Sequence, residues 1–296
     1  MANENRLIII SGLSGSGKTI ALHALEDLGY YCIDNMPAGL LRSLLDEIRR
    51  PDDNTASRVA VGVDARNRRE DLEALPGLIA DIQSSGIATD LLFLQADDDV
   101  LLKRYSETRR RHPLADVASE LRAAIKHERE LLGPVINAAD LVIDSSRTSV
   151  YELADIIQER VDRRRTNELS ILLESFGFKH GIPADADFVF DLRCLPNPYW
   201  NAELRSLNGL DQEVAEFLDS QPAFEQMHED ILGFLKRWIP EYASVNRSYL
   251  TVALGCTGGQ HRSVRMAEKL ASALGDIHDP VHKRHNELSS SSVKSG

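Results

Sequence analysis

Near the N-terminus, Gly12-Leu13-Ser14-Gly15-Ser16-Gly17-Lys18-Thr19 satisfies the spacing G-x-x-x-x-G-K-[ST] of a P-loop. An apolar run, "LIIIS" (7–11), precedes it, and a helical pattern follows. Glycines let the backbone turn tightly and aim successive N–H groups at one anion, and the helix adds the positive end of its dipole. A lysine at the seventh position reaches β- and γ-phosphates, and the threonine hydroxyl ligates Mg²⁺. The spacing therefore predicts a site for a nucleoside triphosphate, ATP or GTP, with Mg²⁺.

A magnesium site of this kind takes an acid from the end of a neighbouring strand. Asp64 closes the run "VAVGVD" and fits that place, although strand ends also carry Asp as a helix cap. Asp34, in "YCIDNMP", is a second candidate at a strand end. The stretch "LLKRYSETRRRHPL" (101–114) holds Arg104, Arg109, Arg110 and Arg111. Such a cluster either closes over phosphates or forms a solvated helix face.

A second cluster lies in "TVALGCTGGQHRSV". Thr257, Gly258 and Gly259 form a backbone nest for a phosphate-like anion, with His261 and Arg262 adding charge. Cys256 with Arg262 and Ser263 also matches the C-x5-R-[ST] loop of cysteine phosphatases, in which a thiolate attacks phosphate. A glycine turn beside a buried thiol is the third reading; anion binding without a phosphocysteine intermediate is preferred. In "DLRCLPNPYW" (191–200), Tyr199 and Trp200 follow two prolines, as in a rigid turn or a loop that stacks a base.

The elements that must hold these residues alternate. Strand-like runs at 7–11, 31–34, 58–64, 90–96 and 140–146 are separated by helical stretches near 18–28, 38–50, 70–84, 97–109, 115–132 and 148–163. Strands apolar throughout belong in a parallel sheet covered on both faces. The fold class is α/β, with an N-terminal P-loop NTPase or kinase-like sheet and a second, smaller α/β domain. Alternation falters at "ERVDRRRTNE", which sets the domains at 1–165 and 166–287, with 288–296 a serine-rich disordered tail.

Composition bounds the function. With 296 residues, 43% hydrophobic and 27% charged, the chain reads as a soluble two-domain protein. No apolar stretch reaches the roughly 18–20 residues that cross a bilayer, and no signal peptide is evident, so a cytoplasmic location is expected. Cys32, Cys194 and Cys256 have no paired spacing, which fits a reducing compartment. A net charge of −12 disfavours a broad grip on nucleic acid. A local basic surface is expected at Arg262, Arg265, Lys269, Lys283 and Arg284.

Seven blocks, "GLSGSGKT", "DNMP", "DARN", "RRRHPL", "ESFGFKHG", "FDLRCLPNPYW" and "GCTGGQHRSV", occur in an order that resembles the RapZ/YvcJ family of P-loop nucleotide-binding proteins, also called RNase adapter proteins. The resemblance covers about residues 6–285. It implies ATP binding at Gly12–Thr19, GTP contact through Asp64, Ala65, Arg66 and Asn67, and slow ATPase and GTPase activity by an oligomer. It also implies a phosphosugar or anion site at Thr257, Gly258, Gly259, His261 and Arg262. Some members present small regulatory RNA to an endoribonuclease, and here the RNA cations would be Arg265, Lys269, Lys283 and Arg284. The chain departs from those members at its end, where "SSSSVKSG" holds Lys294 alone in place of a basic cluster. A small-molecule kinase and a cysteine phosphatase stand as alternatives.

Overall fold

The computed structural model describes residues 6–48, 58–108, 111–115, 120–162, 169–245 and 247–288. Its contacts divide the chain into two units, Met1–Arg163 and Arg164–Gly296. The first unit runs β1 (Arg6–Gly12), α1 (Lys18–Asp27), β2 (Tyr31–Ile33), α2 (Leu41–Ile48), β3 (Arg58–Gly62), α3 (Arg69–Ser84), β4 (Ala88–Gln95), α4 (Asp98–Thr108), α5 (Leu121–Leu131), α6 (Gly133–Asn137), β5 (Leu141–Asp144) and α7 (Val150–Asp162).

Its sheet is parallel and ordered β2-β3-β1-β4-β5. β1 is central, and Leu7, Ile8, Ile9 and Ile10 are wholly buried, which is why the strand reads apolar at every position. Leu7 and Ile9 pack with Leu72 and Leu75 of α3 and Ile125 of α5. α1 packs against β1 and β3 and is backed by α7. The centrality of β1 matters for the site, because its carboxyl end opens beside those of both neighbours, where α/β sheets hold ligands.

The second unit runs β6 (Ser170–Gly177), β7 (Phe188–Asp191), α8 (Gln212–Asp219), α9 (Pro222–Ser244), β8 (Tyr249–Cys256), α10 (Arg262–Gly275) and β9 (Val281–His285). Its sheet is also parallel, ordered β7-β8-β6-β9. The core joins Ile171, Leu173 and Val252 of the inner strands to Phe224 and Leu235 of α9 and Leu270 of α10. The α/β class expected from sequence holds in both units. β9 is an addition: no strand is expected in "VHKRH", whose Lys283 and Arg284 read as part of a local basic surface, yet it pairs with β6 from Ile171↔Val281 to Ser175↔His285. Charge on an edge strand hides its pairing from a hydrophobicity pattern and guards the edge. The end of the expected tail, 289–296, lies outside the described residues. Among the described residues no helix is long and apolar enough to cross a membrane.

Candidate functional site

The loop between β1 and α1 takes three left-handed glycines, Gly12 (φ 146°), Gly15 (φ 89°) and Gly17 (φ 108°). A Cβ on Gly12 would lie 2.2 Å from the Leu94 carbonyl oxygen, so only glycine fits against β4. α1 then begins at Lys18, and a helix's first turn leaves the N–H groups of Lys18, Thr19 and Ile20 without intrahelical acceptors. Lys18 Nζ folds back to donate to the carbonyls of Gly12 (2.7 Å) and Leu13 (3.1 Å). Burial pushes its pKa down, and Glu128, Asp64 and Asp34 oppose that shift. A cavity of about 700 Å³ opens over the loop and includes Gly15, Gly17, Lys18, Thr19, Asp34 and Asp64 in its lining. Leu13 is wholly buried in the hydrophobic core and does not line the cavity.

Asp64 stands two residues beyond β3, and Arg66 grips both its oxygens. Arg66 Nη2 donates to Oδ2 at 2.6 Å, and the Arg66 backbone N–H donates to Oδ1 at 3.0 Å. Burial pushes the Asp64 carboxyl up, but the Arg66 hydrogen bonds and the Lys18 charge outweigh it and hold it below the usual range. Thr19, Asp64 and Asp34 line one cavity. A hydroxyl and carboxylates are the oxygen donors Mg²⁺ takes, and Mg²⁺ completes its shell with water and phosphate, so this donor set fits it. Ala65 is buried in the core. Asn67 ties two loops together: its Oδ1 accepts from the Ala38 N–H (2.6 Å) and its Nδ2 donates to the Asp64 carbonyl (3.1 Å).

The arginine stretch divides. Arg104 clasps the loop itself, donating to the carbonyls of Gly15 (3.0 Å) and Ser145 (2.6 Å). Ser145 Oγ donates to the Ser16 carbonyl at 2.8 Å, closing the clasp. Arg111 lines the cavity, and Arg109 and Arg110 lie outside the described residues. Glu128 of α5 escaped the sequence reading. It is wholly buried, and its carboxylate accepts from Ser14 N–H (2.9 Å) and Ser14 Oγ–H (2.6 Å). A signal was present: Glu128 shares the buried helix face of Ala124 and Ile125, where helical periodicity calls for an apolar residue.

In the second unit, the loop from Cys256 to His261 joins β8 to α10. Gly259 is left-handed (φ 73°), and a Cβ there would lie 2.6 Å from Gly177 N. Cys256 is buried, accepts from Gly259 N–H at 3.2 Å and meets Ser263 Oγ at 3.2 Å. Burial pushes its thiol up, and the hydrogen bonds from Ser263 and Gly259 outweigh that and hold it below the ordinary value. Arg262 is 3% exposed and donates through Nη1 to the carbonyls of Arg193 (3.0 Å) and Leu195 (2.9 Å), and through Nη2 to Thr257 Oγ1 (3.4 Å). Arg262 Nε and His261 Nε2 are buried and have no hydrogen-bond partner among the described residues. The segment Pro198–Trp200 forms a tight turn, a short 3₁₀ helix with Pro198 buried, whose Tyr199 and Trp200 stand at the surface, edge to face at 5.7 Å.

The four cations expected to meet RNA each face an acid. Arg265 Nε donates to Asp219 (3.1 Å), Lys269 pairs with Glu225 and Asp219, Lys283 pairs with Glu268 (2.7 Å), and Arg284 pairs with Glu174 (2.8 Å) and Asp185 (3.2 Å).

A parallel sheet whose central strand ends in a glycine-rich loop, with the lysine and threonine of that loop opening a helix, defines a P-loop protein. The chain belongs to the RapZ-like family: the RapZ-like N-terminal domain matches residues 5–165 and the RapZ C-terminal domain matches residues 169–289. A nucleotide-binding protein of Halorhodospira halophila is 53% identical over 284 residues, covering 96% of this chain and 99% of its own. One of Pseudomonas fluorescens is 50% identical over 284 residues, covering 96% and 100%. Among solved structures, the shikimate kinase of Bacteroides thetaiotaomicron aligns at 15% identity and a TM-score of 0.36, over 53% of this chain and 98% of its own. The fold assignment rests on strand order and not on that likeness.

Proposed function

We propose that the first unit binds ATP or GTP with Mg²⁺ and hydrolyses it slowly, in a regulatory role. The observation that carries this reading is the cup: left-handed Gly15 and Gly17, the first turn of α1 and Lys18 lining one cavity. Triphosphate oxygens take the amides of Gly15, Gly17, Lys18 and Thr19, and Lys18 turns from the Gly12 and Leu13 carbonyls to the β- and γ-phosphates. Thr19 and Asp64 would hold Mg²⁺, which offsets charge on the phosphates when bound. Asp64 and Arg66 line a second side of the cavity, where the GTP contact implied for Asp64 to Asn67 would fall, and Asn67 braces the backbone behind them. Water attacks the γ-phosphorus, the bond to the β–γ bridging oxygen breaks and the nucleoside diphosphate leaves; turnover is slow because Arg104, one of the arginines lining the cavity, is bonded to the carbonyls of Gly15 and Ser145. Phosphate release from ATP and GTP by wild type and Lys18→Ala tests the reading; equal rates would remove it.

A second reading concerns the other unit. Arg262 Nε and His261 Nε2, buried and without a hydrogen-bond partner among the described residues, favour an anion site at Thr257–Arg262, with a phosphosugar as the ligand class the family resemblance implies. Titration with inorganic phosphate, lost in Arg262→Ala, tests it. The RNA-adaptor role, with small RNA and an endoribonuclease as partners, belongs to the same family expectation. Arg265, Lys269, Lys283 and Arg284 would have to exchange acids for phosphates to serve it. A homo-oligomer in the cytoplasm completes the proposal; light scattering tests the assembly.

A further inference from the structure

We propose that Glu128 and His112 form a buried relay that fixes the phosphate cup and couples it to residues 112–114. Each link has a defined polarity. Leu114 N–H donates to His112 Nδ1 at 3.1 Å, which leaves the proton of a neutral imidazole on Nε2. That Nε2–H faces Glu128 Oε2 at 3.2 Å. The same oxygen accepts from Ser14 N–H, and Oε1 accepts from Ser14 Oγ–H. The three residues whose side chains make the relay are more than nine-tenths buried: Ser14 is 7% exposed, His112 4% and Glu128 0%. Tyr105, which lines the cavity, packs on the His112 ring with centroids 5.3 Å apart.

A carboxylate taken wholly out of water is retained only where donors and charges compensate it. Here the compensation comes from the phosphate loop on one side and His112 on the other, so a shift of either removes a donor from a buried carboxylate. Arg111 and Pro113 of that segment line the cavity. The relay therefore makes the position of one cavity wall depend on the shape of the cup. Glu128 and His112 are positioning residues: both act through Ser14 and touch no phosphate.

Amide exchange on the full chain tests the relay without ligand. Glu128→Gln keeps the three contacts, since its oxygen accepts from Ser14 N–H and His112 while its amide donates to Ser14 Oγ; protection of Ser14 and Leu114 N–H is expected to match wild type. In Glu128→Ala both amides lose protection, at least tenfold, although the Leu114 N–H donates to His112 and not to Glu128. Where Glu128→Ala fails to fold, His112→Ala carries the test by the faster exchange of Ser14 N–H. Unchanged Ser14 exchange in folded His112→Ala would overturn the relay. A calorimetric arm rests on the nucleotide reading: Glu128→Ala and His112→Ala each weaken binding, and the double variant is no weaker than Glu128→Ala alone. Additive losses there would also overturn the coupling, whereas absence of binding by wild type would overturn only the nucleotide reading.

Discussion

Lys18 has two sets of acceptors within reach, its own loop's carbonyls and the acids that face the cavity, and the geometry places it on the carbonyls. Asp64 shows the complementary state, with Arg66 occupying both its oxygens. On this account Asp64→Asn weakens nucleotide binding in Mg²⁺ by about tenfold and leaves binding in EDTA within about twofold, since removing a carboxylate from the donor set affects the metal-dependent part. Titrations with and without chelator check it; equal losses in both would assign Asp64 to loop structure. The residue types at this site were legible because a P-loop has a fixed spacing. The roles of Glu128 and Arg104 were not, since Ser14 lies 114 positions from Glu128, and the partners of Arg104 lie 41 and 89 positions away.

At the scale of elements, Gly12 and Gly86 separate two costs. Both are left-handed, but a Cβ on Gly12 meets the Leu94 backbone while one on Gly86 meets nothing within 4 Å. Gly86→Ala is expected to cost about 1 kcal/mol, and Gly12→Ala more than about 2 kcal/mol, in urea unfolding of the first unit. The clasp between α10 and β9 gives a pH prediction. Burial pushes the Glu268 carboxyl up, but hydrogen bonds from His285 and Lys283 outweigh it and hold its pKa at about 2, against 4.5 for an ordinary Glu. The folded value lies below the unfolded one, so the stabilisation is complete above about pH 4.5 and disappears as pH falls toward 2. Glu268→Gln should destabilise the second unit at pH 7 by about 1–2 kcal/mol, allowing for solvent screening, and remove that share of its acid sensitivity. Both tryptophans, Trp200 and Trp238, lie in the second unit, so urea unfolding followed by their fluorescence reads it directly. The same clasp explains why β9 was illegible: its side chains form ion pairs and carry little of the apolar pattern by which strands are recognised. The inner strands, apolar at every position, were readable for the opposite reason.

For the whole molecule, the net charge of −12 and the ion pairs at Arg265, Lys269, Lys283 and Arg284 point the same way. Unstructured RNA should show no saturable binding at physiological salt below about 100 μM, near the weak end of ordinary non-specific affinity. Tight, salt-sensitive binding would contradict that expectation and require those pairs to open. The α/β class of both halves was legible because alternating apolar runs and amphipathic stretches survive at the scale of a domain. What each half binds is decided by a few side chains brought together from distant positions, and the central claim concerns the first of these sites. Calorimetry of the intact protein with Mg²⁺ and ATP or GTP tests it most directly. The account predicts saturable heat at one site per chain, lost in a folded Lys18→Ala protein; no heat from folded wild type with either nucleotide, or undiminished binding by Lys18→Ala, would contradict it.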